Sequence, residues 1–217
     1  MAKLQNPKVS RRRPPRQKAA IVKHARHVGE IMIAWNTVHS YLFLLFWSLM
    51  GKDRYEAAHG VWHCIHSDKA QRDMLKAMAE GTLASDPRML ERIKWLIDRT
   101  SDLSPYRNDP AHTPILFSIE QNGKSEIVPD PGGRKAAVAR QETEPTARYW
   151  QRVRGDLTAL FYYASALFGD LMFDDDPQFR IPLPRKPRLL AVPMKTKKVR
   201  PKSRLQGASK QKPPPQP

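Results

Sequence analysis

A chain of 217 residues, 40% of them hydrophobic, is long enough for one domain with a substantial core and polar tails. Its single cysteine, Cys64, excludes an intrachain disulfide and favours the reducing cytoplasm over a secreted disulfide framework. The net charge of +17 is concentrated at the two ends, because residues 1–26 hold nine Lys or Arg, residues 177–217 hold twelve, and neither stretch contains an acid.

This charge distribution predicts three regions. We expect a basic disordered arm at 1–17, a helical-bundle domain at 18–175 and a basic, Pro-rich disordered tail at 176–217, because such ends cannot bury enough apolar surface to offset the entropy of ordering. Basic arms commonly contact phosphate backbones, although the same charges can serve solubility alone. The tail residues predicted to bind nucleic acid are Arg11, Arg12, Arg13, Lys197, Lys198, Arg200, Lys202 and Arg204.

The first predicted helix runs from Lys18 to Gly51, where apolar residues recur at alternating spacings of four and three and form one face. No formal charge lies between Ile31 and Gly51, which leaves two interpretations, a buried central helix and a membrane span. The buried helix is favoured and a membrane is not expected as a partner, because Asn36 and His39 would lie at mid-depth of a bilayer, where polar groups are costly.

Three shorter helical patterns follow. A second helix is predicted at 54–65 from its apolar stripe. A third, at 68–83, begins with Asp68 as N-cap and Gln71 three residues later, which is a capping-box pattern. A fourth is predicted at 87–103, since its first residue is a proline and proline suits the first helical position.

The period of the apolar residues then changes. A β-hairpin is predicted near 114–129, because an Asn-Gly turn at 122–123 separates two short β-branched runs. A last long helix is predicted at about 145–173. The predicted fold class is therefore mostly α, a bundle of about five helices with a β-hairpin inserted before the last one.

The second helix carries the residues that come closest to a metal site. Glu56 and His59 form a Glu-x-x-His unit of the kind that di-iron bundles use, but such bundles need a second unit, which the sequence lacks. We therefore predict no metal and no cofactor, with His39 a satisfied buried histidine and Cys64 a packed thiol. The residues that share this helical face are Glu56, His59, His63 and His66.

The other candidate site is a short motif after the fourth helical pattern, Arg107-Asn108-Asp109-Pro110-Ala111-His112. A neutral histidine can take the proton of an RNA 2′-OH, and an arginine can stabilise the charge that develops on the phosphate. Asn108 would orient the phosphate or the catalytic groups. The spacing alone is weak evidence, since Arg54 and His59 share it within an ordinary amphipathic pattern.

Arg107, Asn108 and His112 resemble the signature of HEPN domains (higher eukaryotes and prokaryotes nucleotide-binding), in which a histidine follows an arginine and a polar residue. The likeness covers the helical region from about residue 20 to 175. It implies a metal-independent endoribonuclease that works as a homodimer, with the site where two protomers meet and a cyclic phosphate as product. RNA and, by analogy with toxin-like members, a cognate antitoxin are the implied partners.

Pro110 departs from a continuous helical motif, because a proline inside a helix kinks it. We therefore expect the motif to span a helix end or a break, with Asp109 capping a short turn. Two interpretations stay open: a catalytic pair, or Arg107 and Asn108 capping the fourth helix while His112 holds the following loop. The alternative function is a non-catalytic helical module that binds nucleic acid or a protein partner and uses its basic tails.

Overall fold

The computed structural model describes residues 15–112, 115–119, 125–130, 138, 146–173 and 183–191. Within these residues the chain forms a bundle of five helices and one two-stranded antiparallel sheet, which confirms the predicted fold class. The elements are α1 (Pro15–Met50), α2 (Tyr55–His63), α3 (Asp68–Thr82), α4 (Pro87–His112), β1 (Ile115–Ile119), β2 (Ser125–Pro129) and α5 (Thr146–Met172). The tail residues predicted to bind nucleic acid lie outside the described residues.

α1 is the central helix and contacts all four other helices as well as β2. α1 is long and apolar enough to cross a membrane by length and composition alone. The buried core helix of a soluble protein meets the same two criteria. Its apolar face packs into the common core of the bundle, as the alternating spacing predicted. The side chains of this face that are at most 1% exposed are Ile31, Trp35, Val38, Leu42, Leu45 and Phe46.

The start of α3 differs from the predicted capping box. Ser67 is the N-cap, and its Oγ accepts a hydrogen bond from the N–H of Ala70 at 3.4 Å. The prediction of Asp68 as N-cap was wrong, because Ser67 already supplies the capping oxygen and Asp68 is the first residue inside the helix. Gln71 donates instead to two backbone carbonyls in and just after α2, each at 3.1 Å, and so ties α3 to the preceding turn.

α4 runs well past the predicted end near Leu103. Asp86 caps its start, where Oδ1 accepts from two backbone N–H groups of the first turn at 2.9 and 3.1 Å. The expected break at Pro110 was wrong, because the helix continues through both Pro105 and Pro110 to its last residue. Pro110 forfeits one backbone hydrogen bond, and its ring is buried in the bundle, which offsets that loss.

The predicted hairpin is confirmed as the pairing of β1 with β2. Its register runs from Ile115 opposite Pro129 to Ile119 opposite Ser125. The turn that connects the two strands, at 120–124, lies outside the described residues. Ile127 is buried, and β2 contacts α1. The hairpin therefore covers part of the α1 surface beyond the end of α4.

Residues 183–191, which we call the strap, lie against α4 and α5, although composition assigned them to the disordered tail. The buried Asp156 of α5 accepts hydrogen bonds from the backbone N–H groups of Leu190 and Ala191 at 2.6 to 2.9 Å. Arg92 of α4 donates to a strap carbonyl at 2.7 Å. These hydrogen bonds and the buried side chain of Ala191 hold the strap in place, which the composition of the segment does not predict.

Candidate functional site

Arg107 lies on the face of α4 that is turned toward α1 and α3, with 22% of its side chain exposed. Its Nη2 donates to Oδ2 of Asp68 at 3.1 Å, and its Nη1 donates to Oδ1 of Asn108 at 2.7 Å. Its Cζ lies 5.1 Å from the centre of the Trp35 ring, a cation–π distance. The guanidinium of Arg107 is therefore held from three sides by its own protein.

Asp68 joins α3 to both neighbouring helices through a single carboxylate oxygen. Oδ2 accepts from Arg107 of α4 and also from the indole N–H of Trp35 of α1, both at 3.1 Å. Its side chain is 39% exposed, so water still reaches the rest of the carboxylate. We call Trp35, Asp68 and Asn108 the Arg107 bracket, since all three contact that guanidinium.

A second arginine lies directly beside this bracket. Arg72 of α3 is only 3% exposed, and its Nε donates to Oγ of Ser101 at 3.0 Å. Its Nη1 lies 3.2 Å from Nε2 of His39, and its Cζ is 5.6 Å from the Trp35 ring. Burial lowers the pKa of Arg72, but a guanidinium remains protonated throughout the physiological range.

His39 contributes a neutral partner to this cluster. Burial, the largest cause, lowers the pKa of His39 to about 4, so the imidazole is uncharged near neutral pH. Because Arg72 can only donate, Nε2 of His39 accepts and its proton is on Nδ1. The ring packs on Trp35 with centroids 4.8 Å apart, so His39 is the satisfied histidine that the sequence predicted.

The last turn of α4 is fastened to α5. The hydroxyl of Tyr149 donates to Oδ2 of the buried Asp109 at 2.9 Å, and the rings of Tyr106 and Tyr149 stack with centroids 6.2 Å apart. The sequence predicted that Asp109 caps a separate short turn. That prediction was wrong, because Asp109 lies inside α4 and pairs with Tyr149 of α5. This contact lies within the last turn of α4, which ends at His112.

His112 is the last residue of α4, and its side chain is exposed. Among the described residues no hydrogen bond or ring contact joins His112 to Arg107. Residues five apart on an α-helix differ by about 140° around the axis and about 7.5 Å along it. The structure therefore brings Arg107 together with Asn108 but leaves His112 on a different side of the helix.

Apart from Asn108, sequence reasoning missed the residues that surround Arg107, although each carried a weak local signal. Asp68 and Arg72 are charged residues four apart on α3, and Trp35 and His39 are four apart on the apolar face of α1. Such spacings put each pair on one helical face. Only the packing of α1, α3 and α4 could show that the two faces meet.

The histidines of α2 form an aromatic group. The rings of His59 and His63 lie 4.3 Å apart, and both contact Phe43 of α1. Within the part of the chain that the structure describes, no three His, Cys, Asp or Glu residues are placed to hold a metal ion. The prediction that Cys64 is packed was wrong, because this thiol is exposed at the end of a helix that buries only Ala58 and Trp62.

Comparison with protein-family models, with curated proteins and with solved structures gives no match.

Proposed function

We propose that this chain is a HEPN-like endoribonuclease that cleaves RNA without a metal ion, with Arg107, Asn108 and His112 as its site. The observation that carries the proposal is the continuous helix through Pro110. It keeps a fixed, partly exposed arginine and an exposed histidine on one rigid element. A break at Pro110 would have separated them by a loop of undefined geometry.

The bracket leaves Arg107 with donors for an incoming phosphate. A guanidinium has five N–H donors. Asp68 takes one donor from Nη2 and Asn108 takes one from Nη1, while Nε is buried and has no hydrogen-bond partner among the described residues. One N–H on each Nη is therefore not used by these two bonds, and two donors are what a bidentate contact with a phosphate needs.

His112 supplies the proton acceptor in this proposal. The 2′-oxygen of the ribose attacks the adjacent phosphorus, and His112 takes the 2′-hydroxyl proton. The bond from phosphorus to the 5′-oxygen breaks, which leaves a 2′,3′-cyclic phosphate on one fragment. The 5′-oxygen of the other fragment takes a proton from water or from a second histidine.

A homodimer would supply that second histidine and would also overcome the separation of Arg107 from His112. Twofold symmetry brings two copies of one motif together at a shared interface.

The test compares two arginine–histidine pairs of identical spacing in the same chain. His112→Ala and Arg107→Ala are expected to abolish RNA cleavage in EDTA, while His59→Ala and Arg54→Ala retain it. Cleavage that survives His112→Ala, or that requires a divalent ion, contradicts the proposed site. Circular dichroism of each variant checks that the helical content is unchanged.

The second candidate is a non-catalytic module that binds nucleic acid or a protein partner. It is favoured by the pairing of Arg107 with Asp68 and by the lack of any contact between Arg107 and His112 in the described part of the chain. Removal of residues 1–14 and 192–217 keeps all described residues and is expected to weaken RNA binding and flatten its salt dependence. Unchanged affinity after this truncation contradicts binding through the tails.

A further inference from the structure

We infer that Asp68 is a positioning residue for RNA cleavage, one that fixes the guanidinium of Arg107 against the Trp35 ring; this inference rests on the proposed function. Asp68 is on α3, 39 positions from Arg107 in sequence, and lies outside the arginine–histidine motif. Its Oδ2 accepts from Arg107 and from Trp35 at the same distance of 3.1 Å. The indole N–H therefore fixes the carboxylate, and the carboxylate fixes the arginine.

The bracket restricts the conformations of the Arg107 side chain before substrate binds. Without these contacts, the side chain would lose that conformational freedom only on binding. A long, rotamer-rich side chain loses conformational entropy when it is immobilised on binding. In the folded protein Arg107 is already immobilised by Trp35 below and by Asp68 and Asn108 at its edge. Donors that are fixed before the reaction stabilise developing charge better than donors that must reorient.

The charge of the cluster is compatible with this role. Arg72 and Arg107 carry two positive charges, Asp68 carries one negative charge, and His39 is neutral near pH 7. The site therefore keeps one net positive charge while Arg107 is held. Loss of the carboxylate raises this charge by one but removes the charge-assisted bond that orients the guanidinium.

These two consequences act on different kinetic constants. In Asp68→Asn the added positive charge favours ground-state binding of RNA, so KM is expected to fall about twofold. The poorly oriented Arg107 stabilises the transition state less, so kcat is expected to fall about tenfold. A purely structural role for Asp68 would lower the melting temperature without moving kcat and KM of the folded protein in this way.

Asp73→Asn is the matched control. Asp73 is on the same helix, has 60% of its side chain exposed and pairs with Lys69. Its substitution adds the same unit of charge without touching Arg107, so kcat is expected to stay within about twofold of the wild type. Asp68→Glu keeps the charge but displaces the carboxylate, so its kcat is expected to fall as well. This second variant tests the inference if Asp68→Asn folds poorly.

The experiment measures kcat and KM for RNA cleavage by the full-length protein and these three variants. A lower kcat in both Asp68 variants, with Asp73→Asn unchanged, supports the positioning role. An Asp68→Asn enzyme that matches Asp73→Asn in both constants overturns it while leaving the ribonuclease proposal intact. A wild-type protein that does not cleave RNA overturns the proposed function and the positioning role with it.

Discussion

Nη2 of Arg107 lies 3.1 Å from Oδ2 of Asp68, so one ion pair ties the end of α4 to the first turn of α3. The same oxygen accepts the indole N–H of Trp35, which extends the connection to α1. Three helices that meet at one carboxylate form a rigid support for the arginine.

Trp35→Phe tests the indole hydrogen bond within this support. It removes the N–H that fixes Asp68 while keeping an aromatic ring beneath the arginine. Trp47→Phe is the control, because Trp47 Nε1 is buried without a hydrogen-bond partner among the described residues. We expect Trp35→Phe to lower the free energy of unfolding by about 1 kcal/mol more than Trp47→Phe. Urea denaturation measures the difference, and equal losses in the two variants would contradict the account.

His39 makes the stability of the bundle depend on pH. Its folded pKa of about 4 lies below the unfolded value of 6.5, so between these two pH values the unfolded chain binds more protons. The stability from neutral His39 is therefore present above pH 6.5 and is lost as the pH falls toward 4. The loss can reach about 3 kcal/mol.

His39→Gln separates this effect from the titration of carboxylates. The amide oxygen can still accept from Arg72 but does not titrate. We expect the wild type to lose more unfolding free energy than His39→Gln when urea denaturation is repeated from pH 7 to pH 4. Parallel pH profiles for the two proteins would show that His39 is not the titrating group.

Asp156→Ala tests the attachment of the strap. It removes the acceptor for the backbone N–H groups of Leu190 and Ala191, and we expect amide hydrogen exchange at both residues to accelerate at least tenfold. Asp98→Ala is a suitable control, because Asp98 is an exposed acid on α4. Unchanged exchange in Asp156→Ala would mean that the packing of the strap alone holds it.

Pro110→Ala tests whether the proline disturbs the site. Because α4 is already helical through Pro110, alanine at this position leaves the placement of Arg107 and His112 unchanged. We expect RNA cleavage within about twofold of the wild type, together with the same helical content by circular dichroism. A large gain in activity would instead show that Pro110 distorts the motif.

The sequence was informative where local spacing determines the structure. The alternating apolar positions of α1 predicted a buried face that includes Trp35, Leu42 and Phe46, and the Asn-Gly signal predicted a hairpin, which the structure has as the pairing of β1 with β2. The predicted helix break at Pro110 was wrong. The general rule against proline inside helices considers only the backbone, and not the burial of the proline ring or the neighbouring Asp109–Tyr149 hydrogen bond.

The surroundings of the arginine could not be predicted for a different reason. Trp35 and Asp68 are 33 positions apart, and Asp68 and Arg107 are 39 apart. Each of these residues has an ordinary local role, as a core aromatic, a helix-start acid or a late-helix base. Only tertiary packing brings them together, so the motif alone identified Arg107 but not what holds it.

The most direct test of the proposed function uses two RNA oligonucleotides of the same sequence, one unmodified and one with every 2′-hydroxyl methylated. Each is incubated in EDTA with the wild-type protein or with His112→Ala, and the product ends are identified by mass spectrometry. We expect that only the wild type with the unmodified RNA gives fragments ending in a 2′,3′-cyclic phosphate. Cleavage of the methylated RNA, or equal cleavage by His112→Ala, would contradict the proposed function.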